Sequence, residues 1–239
     1  MTAESDDAGA DETTVVGELG TGTEMLLGES RWPPVGAVLV FMVLNIALRL
    51  WLPSEGALYV PWLLPAIEAV LVVVLVTSDP SGAEERHRLR RIALVLVGLL
   101  VTAALWATGL LVSDLIRGKG VANSASELLA EGAVVWLGNN LGFALLYWLM
   151  DGGGPIARSR LAAPVDLAFT QHMSPELAPP GWRPVFLDYL HLGFTNATAF
   201  SPTDVMPLTH RAKYAMLLQS TLALALFGLV VARAVNAFT

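Results

Sequence analysis

Long apolar stretches alternate with short polar linkers along this chain. Residues 35–52, 59–77, 92–112, 132–150 and 214–232 each come close to the ~20 largely apolar residues that a helix needs to cross a bilayer core. Pro33 and Pro34 precede the first stretch and Pro53 follows it, while Trp62, Tyr147 and Trp148 sit near stretch ends. Amphipathic rings at such positions suit the headgroup level of a membrane. The pattern predicts an all-α fold: a polytopic transmembrane helix bundle of four to six spans, with a short re-entrant or thin helix before the last one. The implied place is the cell membrane, as a multi-pass protein, with the lipid bilayer as the main partner.

Composition agrees with the pattern. Apolar residues make up 54% of the 239 residues and charged residues only 15%, against about 25% charged in an ordinary soluble domain. The net charge of −7 is concentrated at one end. Residues 1–30 carry Glu4, Asp6, Asp7, Asp11, Glu12, Glu18, Glu24 and Glu29 and no Lys or Arg, which leaves 13 acidic against 14 basic residues in the rest of the chain. An acidic leader over residues 1–32, rich in Gly and Thr, is too polar to bury a core and reads as disordered. It lacks the basic and apolar regions of a signal peptide and is expected to stay attached. Beyond it the expected units are a four-span bundle over 33–150, a Gly/Pro-rich cytoplasmic or surface loop over 151–183, and a pore-loop-like segment with a final helix over 184–239.

The segment 185–207, VFLDYLHLGFTNATAFSPTDVMP, departs from the greasy pattern. Its apolar run before Ser201 is about 16 residues, or roughly 24 Å of helix, which is short of a ~30 Å hydrocarbon core. It is therefore either a thin polar span or a helix that inserts and turns back. Irregular backbone such as SPTDVMP survives at membrane depth only where protein or water shields it.

These residues carry a resemblance to the pore module of tetrameric potassium channels, which has a pore helix, a Thr-rich turn, a filter, an Asp and an inner helix. Phe194 and Thr195 match the end of the pore helix, Thr198 the turn, Asp204 the Asp after the filter, and Pro207 the Pro beyond it. Arg211 and the following helix resemble the inner helix of two-span bacterial channels. Thr195, Asn196, Thr198, Phe200, Ser201, Pro202, Thr203 and Asp204 would form the constriction. The filter differs from the family pattern, because Phe200, Ser201, Pro202 and Thr203 replace the Gly-containing run. Carbonyl rings that strip an ion need backbone angles that Gly allows and Pro forbids, so the usual potassium selectivity is not expected. The chain also resembles a group of uncharacterised bacterial multi-span membrane proteins with FTNATAFSPTD before the last helix. The resemblance implies an ion-channel-like homo-oligomer, a tetramer, that passes an inorganic cation. The alternative is a non-conducting structural or regulatory membrane protein.

Charge and resemblance disagree about topology. Arg86, Arg88, Arg90 and Arg91 place the 78–91 linker in the cytoplasm, and the 53–58 linker, with no Lys or Arg, outside. Residue 184 is then cytoplasmic, whereas a channel filter faces outward. Both hold only if 184–200 crosses the membrane.

Polar side chains within the apolar stretches are the other candidates: Asn45, Glu68, Asn139, Asn140 and Gln219. A carboxylate at the depth of Glu68 is a functional candidate by default, and the favoured reading is a clamp to Asn45 or Arg49 over a proton or cation relay. Asn139, Asn140 and Gln219 read first as hydrogen bonds between helices. Asp188 and His191 share a helix face, but two ligands do not make a metal site. The absence of cysteine excludes thiol chemistry and disulfides. No phosphate loop, nucleophile elbow or zinc-protease motif is present. The expectation is a protein that is not an enzyme, with no catalytic residues, cofactor, metal or nucleic-acid partner.

Overall fold

The computed structural model describes residues 29–30, 32–51, 63–77, 83–117, 125–159, 163–198 and 204–238. Most of the leader, the 53–58 linker, and Phe200, Ser201, Pro202 and Thr203 lie outside the described residues. The elements in chain order are α1 (Trp32–Trp51), α2 (Leu63–Thr77), α3 (Ala83–Arg117), α4 (Ala125–Met150), α5 (Pro155–Ser159), β1 (Leu167–Phe169), α6 (Thr170–Met173), α7 (Phe186–Thr198), β2 (Val205–Pro207) and α8 (His210–Phe238). The chain is mostly helical, with one correction to an all-α class. Strands β1 and β2 form an antiparallel ribbon that pairs Leu167 with Pro207, Ala168 with Met206 and Phe169 with Val205.

Local chemistry explains where the helices begin. Pro33 and Pro34 occupy the first turn of α1, where an amide hydrogen has no helical partner to lose. Helix α3 starts at Ala83 with Glu84 and Glu85 in its first turn and runs through the arginine cluster. The basic stretch expected as a linker is therefore largely helix. Glu and Arg are good helix formers, and acidic groups suit the positive end of the helix dipole.

Among the described residues three stretches are long and apolar enough to cross a membrane: His87–Ser113, Leu129–Gly153 and His210–Ala232, with mean hydropathies of 2.3, 1.4 and 2.1. Trp32–Ala47 and Pro65–Thr77 are apolar but shorter. Helix α4 is the centre of the assembly and packs against α1, α3, α7 and α8. Its last turns bury Phe143, Ala144, Leu145, Tyr147, Trp148, Leu149 and Met150. Near its start, Val135 meets Leu111 of α3 with Leu226 and Val230 of α8 in a smaller cluster. Helix α8 turns Ala212, Met216, Gln219, Ala223, Leu226 and Val230 inward, at helical spacing. Its opposite face shows Tyr214, Leu217, Leu224 and Phe227 to the surroundings.

Segment 151–183 is not simply a loop lying on a surface. It folds into a cap on one end of the bundle, with Asp151, Arg158, Asp166, Leu167, Ala168 and Phe169 buried. The chain enters it through Gly152, Gly153 and Gly154, whose φ angles are +57°, +84° and +92°. Residues with a Cβ resist that left-handed run, and a Cβ on Gly152 would also stand 2.7 Å from Arg158 Cγ.

The path of α7 decides the architecture. Its start lies by the cap, where Tyr189 donates to Asp151 at 2.6 Å. Further along, Phe194 meets Trp136 of α4 edge-on, with ring centroids 5.3 Å apart. Six residues beyond the helix the chain is back at its starting level. The Thr170 amide donates to the Asp204 carbonyl at 3.1 Å, and Val205 pairs with Phe169, whose ring lies 5.3 Å from that of Tyr189. At 13 residues, or about 20 Å, α7 ends inside the bundle. It runs beside α8 in the same direction, so the excursion starts and finishes at the capped end.

Candidate functional site

Four side chains from three helices hold α7 in place. Gln219 of α8 is at the hub. Its Nε2 donates to the Gly193 carbonyl of α7 at 2.9 Å and to Asn140 Oδ1 of α4 at 3.3 Å. Its Oε1 accepts from Tyr147 Oη at 2.7 Å and from Asn196 Nδ2 at 2.8 Å. Asn196 Nδ2 also reaches the Met216 carbonyl at 3.0 Å, and Asn140 Nδ2 donates to the Trp136 carbonyl at 2.8 Å. All four side chains are buried. Gly193 makes the close approach of α7 to α4 feasible, since a Cβ there would lie 3.2 Å from the Asn140 carbonyl oxygen.

The other expected pore residues are arranged differently. Thr195 Oγ1 donates to the His191 carbonyl at 3.0 Å, and Thr198 Oγ1 to the Phe194 carbonyl at 2.8 Å. Both bonds stay within α7. Asp204 lies at the capped end, with Oδ2 3.8 Å from His191 Nδ1. Asp188, expected on one helix face with His191, has a backbone partner. Its Oδ2 accepts from the Val185 amide at 2.7 Å and caps α7. Among the described residues no three His, Asp or Glu side chains are grouped as metal ligands.

The remaining polar candidates within the apolar helices form two pairs. Asn45 Nδ2 donates to Glu68 Oε1 at 2.7 Å, and Asn139 Nδ2 donates to Thr108 Oγ1 at 2.9 Å. In each pair one buried acceptor, Glu68 Oε2 or Asn139 Oδ1, has no hydrogen-bond partner.

The cap holds a charged cluster that the sequence pattern did not single out. Asp151 Oδ1 accepts from the Asp166 amide at 2.6 Å and the Leu167 amide at 3.1 Å. Arg211 grips Asp166 with two parallel bonds of 2.6 Å, and Thr209 adds a third at 2.7 Å. Burial raises the Asp166 carboxyl, but the bonds from Arg211 and Thr209 and the charge of Arg211 outweigh it and leave the group below its ordinary 3.8. Arg158 Nη1 donates to the carbonyls of Trp148 at 2.6 Å and Asp151 at 2.8 Å. Glu29 closes the cluster from the far end of the chain: its carboxylate accepts from Trp148 Nε1 at 2.8 Å and from the Phe186 amide.

The partners of this cluster lie far apart in sequence, Arg211 being 45 positions beyond Asp166 and Phe186 157 positions beyond Glu29. No spacing rule links them. The available signal was the cost of burial: Asp151 directly follows an apolar stretch, and a charge there needs a partner. No protein-family model, no curated protein and no solved structure matches the chain.

Proposed function

We propose that the chain is a multi-pass helical membrane protein whose α4–α7–α8 unit acts as a pore-loop module, passing an inorganic cation through a homo-oligomeric pore. The observation that carries this reading is the path of α7, which inserts beside α8 and returns to the end it came from. A helix that ends part-way through the bundle is a costly element in lipid, and a permeation path is what such elements commonly line. The outward apolar faces support the membrane setting: Trp106, Val43, Val95, Leu217 and Phe227 are each 60% or more exposed, as expected where lipid is the solvent.

Five helices then cross and α7 re-enters. Arg88, Arg90, Arg91, Arg158, Arg183, Arg211 and Lys213 all belong to the capped end or the helix starts beside it, so the positive-inside rule makes that end cytoplasmic. The leader lies inside and the end of α8 outside. This gives up the six-span solution and keeps the charge signal, and it orients the module opposite to that of potassium channels. Asp204 would then attract cations at the cytoplasmic mouth.

Ion flux into liposomes tests the reading. Wild type should pass cations, and Asp204→Asn and Thr198→Val should each pass less. Background flux for all three ends it, as does a strict monomer in mild detergent, since one chain supplies one loop. A non-conducting structural role is the second reading. It is favoured by Asn196, at the filter end of α7, being fully engaged with Tyr147, Met216 and Gln219.

A further inference from the structure

The N-terminus of α7 is built to hold an anion, and its occupant is part of the same chain. Phe186 opens the helix, and the first-turn amides of a helix point outward and carry partial positive charge. Around this point converge the Phe186 amide, the Trp148 indole N–H and the Arg158 guanidinium. The Glu29 carboxylate takes the first two as hydrogen bonds. Arg158 Nη2 stands 3.6 Å from Glu29 Oε2, with the Arg158 side chain only 5% exposed. That distance is ionic contact but not a hydrogen bond, and Nη2 has no hydrogen-bond partner. Nη1 is tied to two carbonyls and the guanidinium lies 4.8 Å from the Tyr189 ring centroid, so Nη2 is held in place, aimed into the site and left unsatisfied.

We propose that this pocket is a phosphate-group site in which Glu29 is the resident stand-in, so that a phosphate group exchanges with the end of the acidic leader at the base of α7. Geometry favours phosphate over carboxylate. A carboxylate offers two oxygens in one plane, and here they serve two donors. A phosphate group offers three oxygens in a tetrahedral array, and the third can meet Nη2. Arginine and a helix N-terminus are a recurrent pair for such groups. Asp188 opposes any anion from the side, but its Oδ2 is bound to the Val185 amide. Burial raises the Glu29 carboxyl above its ordinary 4.5, against the bonds from Trp148 and Phe186 and the charge of Arg158. Trp148, at the end of an apolar helix, sits where a lipid phosphate would be met, and a free phosphate would reach the same donors from the water side.

The test uses the full chain and reads thermal stability. Glu29→Ala vacates the site, and inorganic phosphate should then raise Tm by about 5 °C at saturation, more than it raises the wild type. Chloride at equal ionic strength should not. Glu29→Ala combined with Arg158→Ala should lose the response, and, if that protein does not fold, Glu29→Ala with Trp148→Phe should weaken it several-fold. Nanodiscs of phosphatidylcholine with and without phosphatidic acid distinguish the sources. A rise with phosphatidic acid alone assigns a lipid ligand, and a rise with both probes assigns the phosphate group itself. No response of Glu29→Ala to either probe, a response undiminished by loss of the Arg158 or Trp148 donor, or a wild-type response as large as that of Glu29→Ala would overturn the proposal.

Discussion

The two sides of α4 bury polar side chains in different ways. Toward α1, α2 and α3 they meet in pairs, Asn45 with Glu68 and Thr108 with Asn139, and each pair leaves an acceptor unsatisfied. Toward α7 and α8 they join in one network, in which Gln219 alone makes four bonds to Tyr147, Asn196, Asn140 and Gly193. The difference follows from what each side must hold. A helix that runs the length of the bundle is fixed by its own long apolar face. A helix of 13 residues has little such face, and in the proposed membrane setting lipid tails would compete equally well for apolar side chains. Directional bonds set its depth and rotation instead, and the charged cap secures the end by which it enters.

The sharpest way to break this contrast is at the cap. Asp151→Ala removes the acceptor of the Asp166 and Leu167 amides and of the Tyr189 hydroxyl, leaving three buried donors unpaired. We expect a loss of at least about 3 kcal/mol, read as a Tm lower by roughly 10 °C in detergent. A drop of only a degree or two would mean that the cap does not anchor α7. Next in size is Gln219→Leu, expected to cost about 2 kcal/mol and to expose the start of α7 to proteolysis. Equal losses for Gln219→Leu and Asn139→Leu would erase the distinction between network and pair.

Acid probes the cap more gently. The folded Asp166 carboxyl lies below its ordinary 3.8, so its stabilising contribution is complete above that value and is lost as pH falls through the lower folded one. Glu29 has the opposite sign, because its carboxyl is raised above 4.5 and the folded state gains as it takes up a proton. Acid melts of Arg211→Ala should therefore lack the low-pH loss seen in wild type, and those of Glu29→Gln should lack the gain. The smallest effect belongs to Glu68→Gln, within about 0.5 kcal/mol, since the amide oxygen can still accept from Asn45. A large loss there would show that the carboxylate charge itself matters.

How much of this was legible in the sequence depends on distance along the chain. Five apolar helices could be read directly, three of them long enough to cross a membrane and two shorter, because helix length and hydropathy are local properties. The partnership of Asn45 and Glu68 was accessible too, since two polar residues at similar depth in adjacent helices have few other partners. The network around Gln219 was visible only as separate polar positions. Which of them meet depends on α7 running parallel to α8, and that direction is set by the return of the chain to β2. The cap escaped notice because its glycines and prolines read as a surface loop, while its order comes from Asp151, Arg158, Asp166 and Arg211 pairing across the fold. Phe200, Ser201, Pro202 and Thr203, where the channel resemblance breaks, lie outside the described residues.

The central claim is that α7 enters and leaves at one end, and the chain's lack of cysteine allows a direct measurement. Single cysteines are placed at Arg183 and Asp204, on either side of α7, and after Thr239 at the end of α8. Each protein is treated in sealed, oriented vesicles with a membrane-impermeant maleimide. The account predicts that Arg183→Cys and Asp204→Cys are labelled from the same face and the C-terminal cysteine from the other. Labelling of Arg183→Cys and Asp204→Cys from opposite faces would mean that α7 crosses the membrane, and would contradict it.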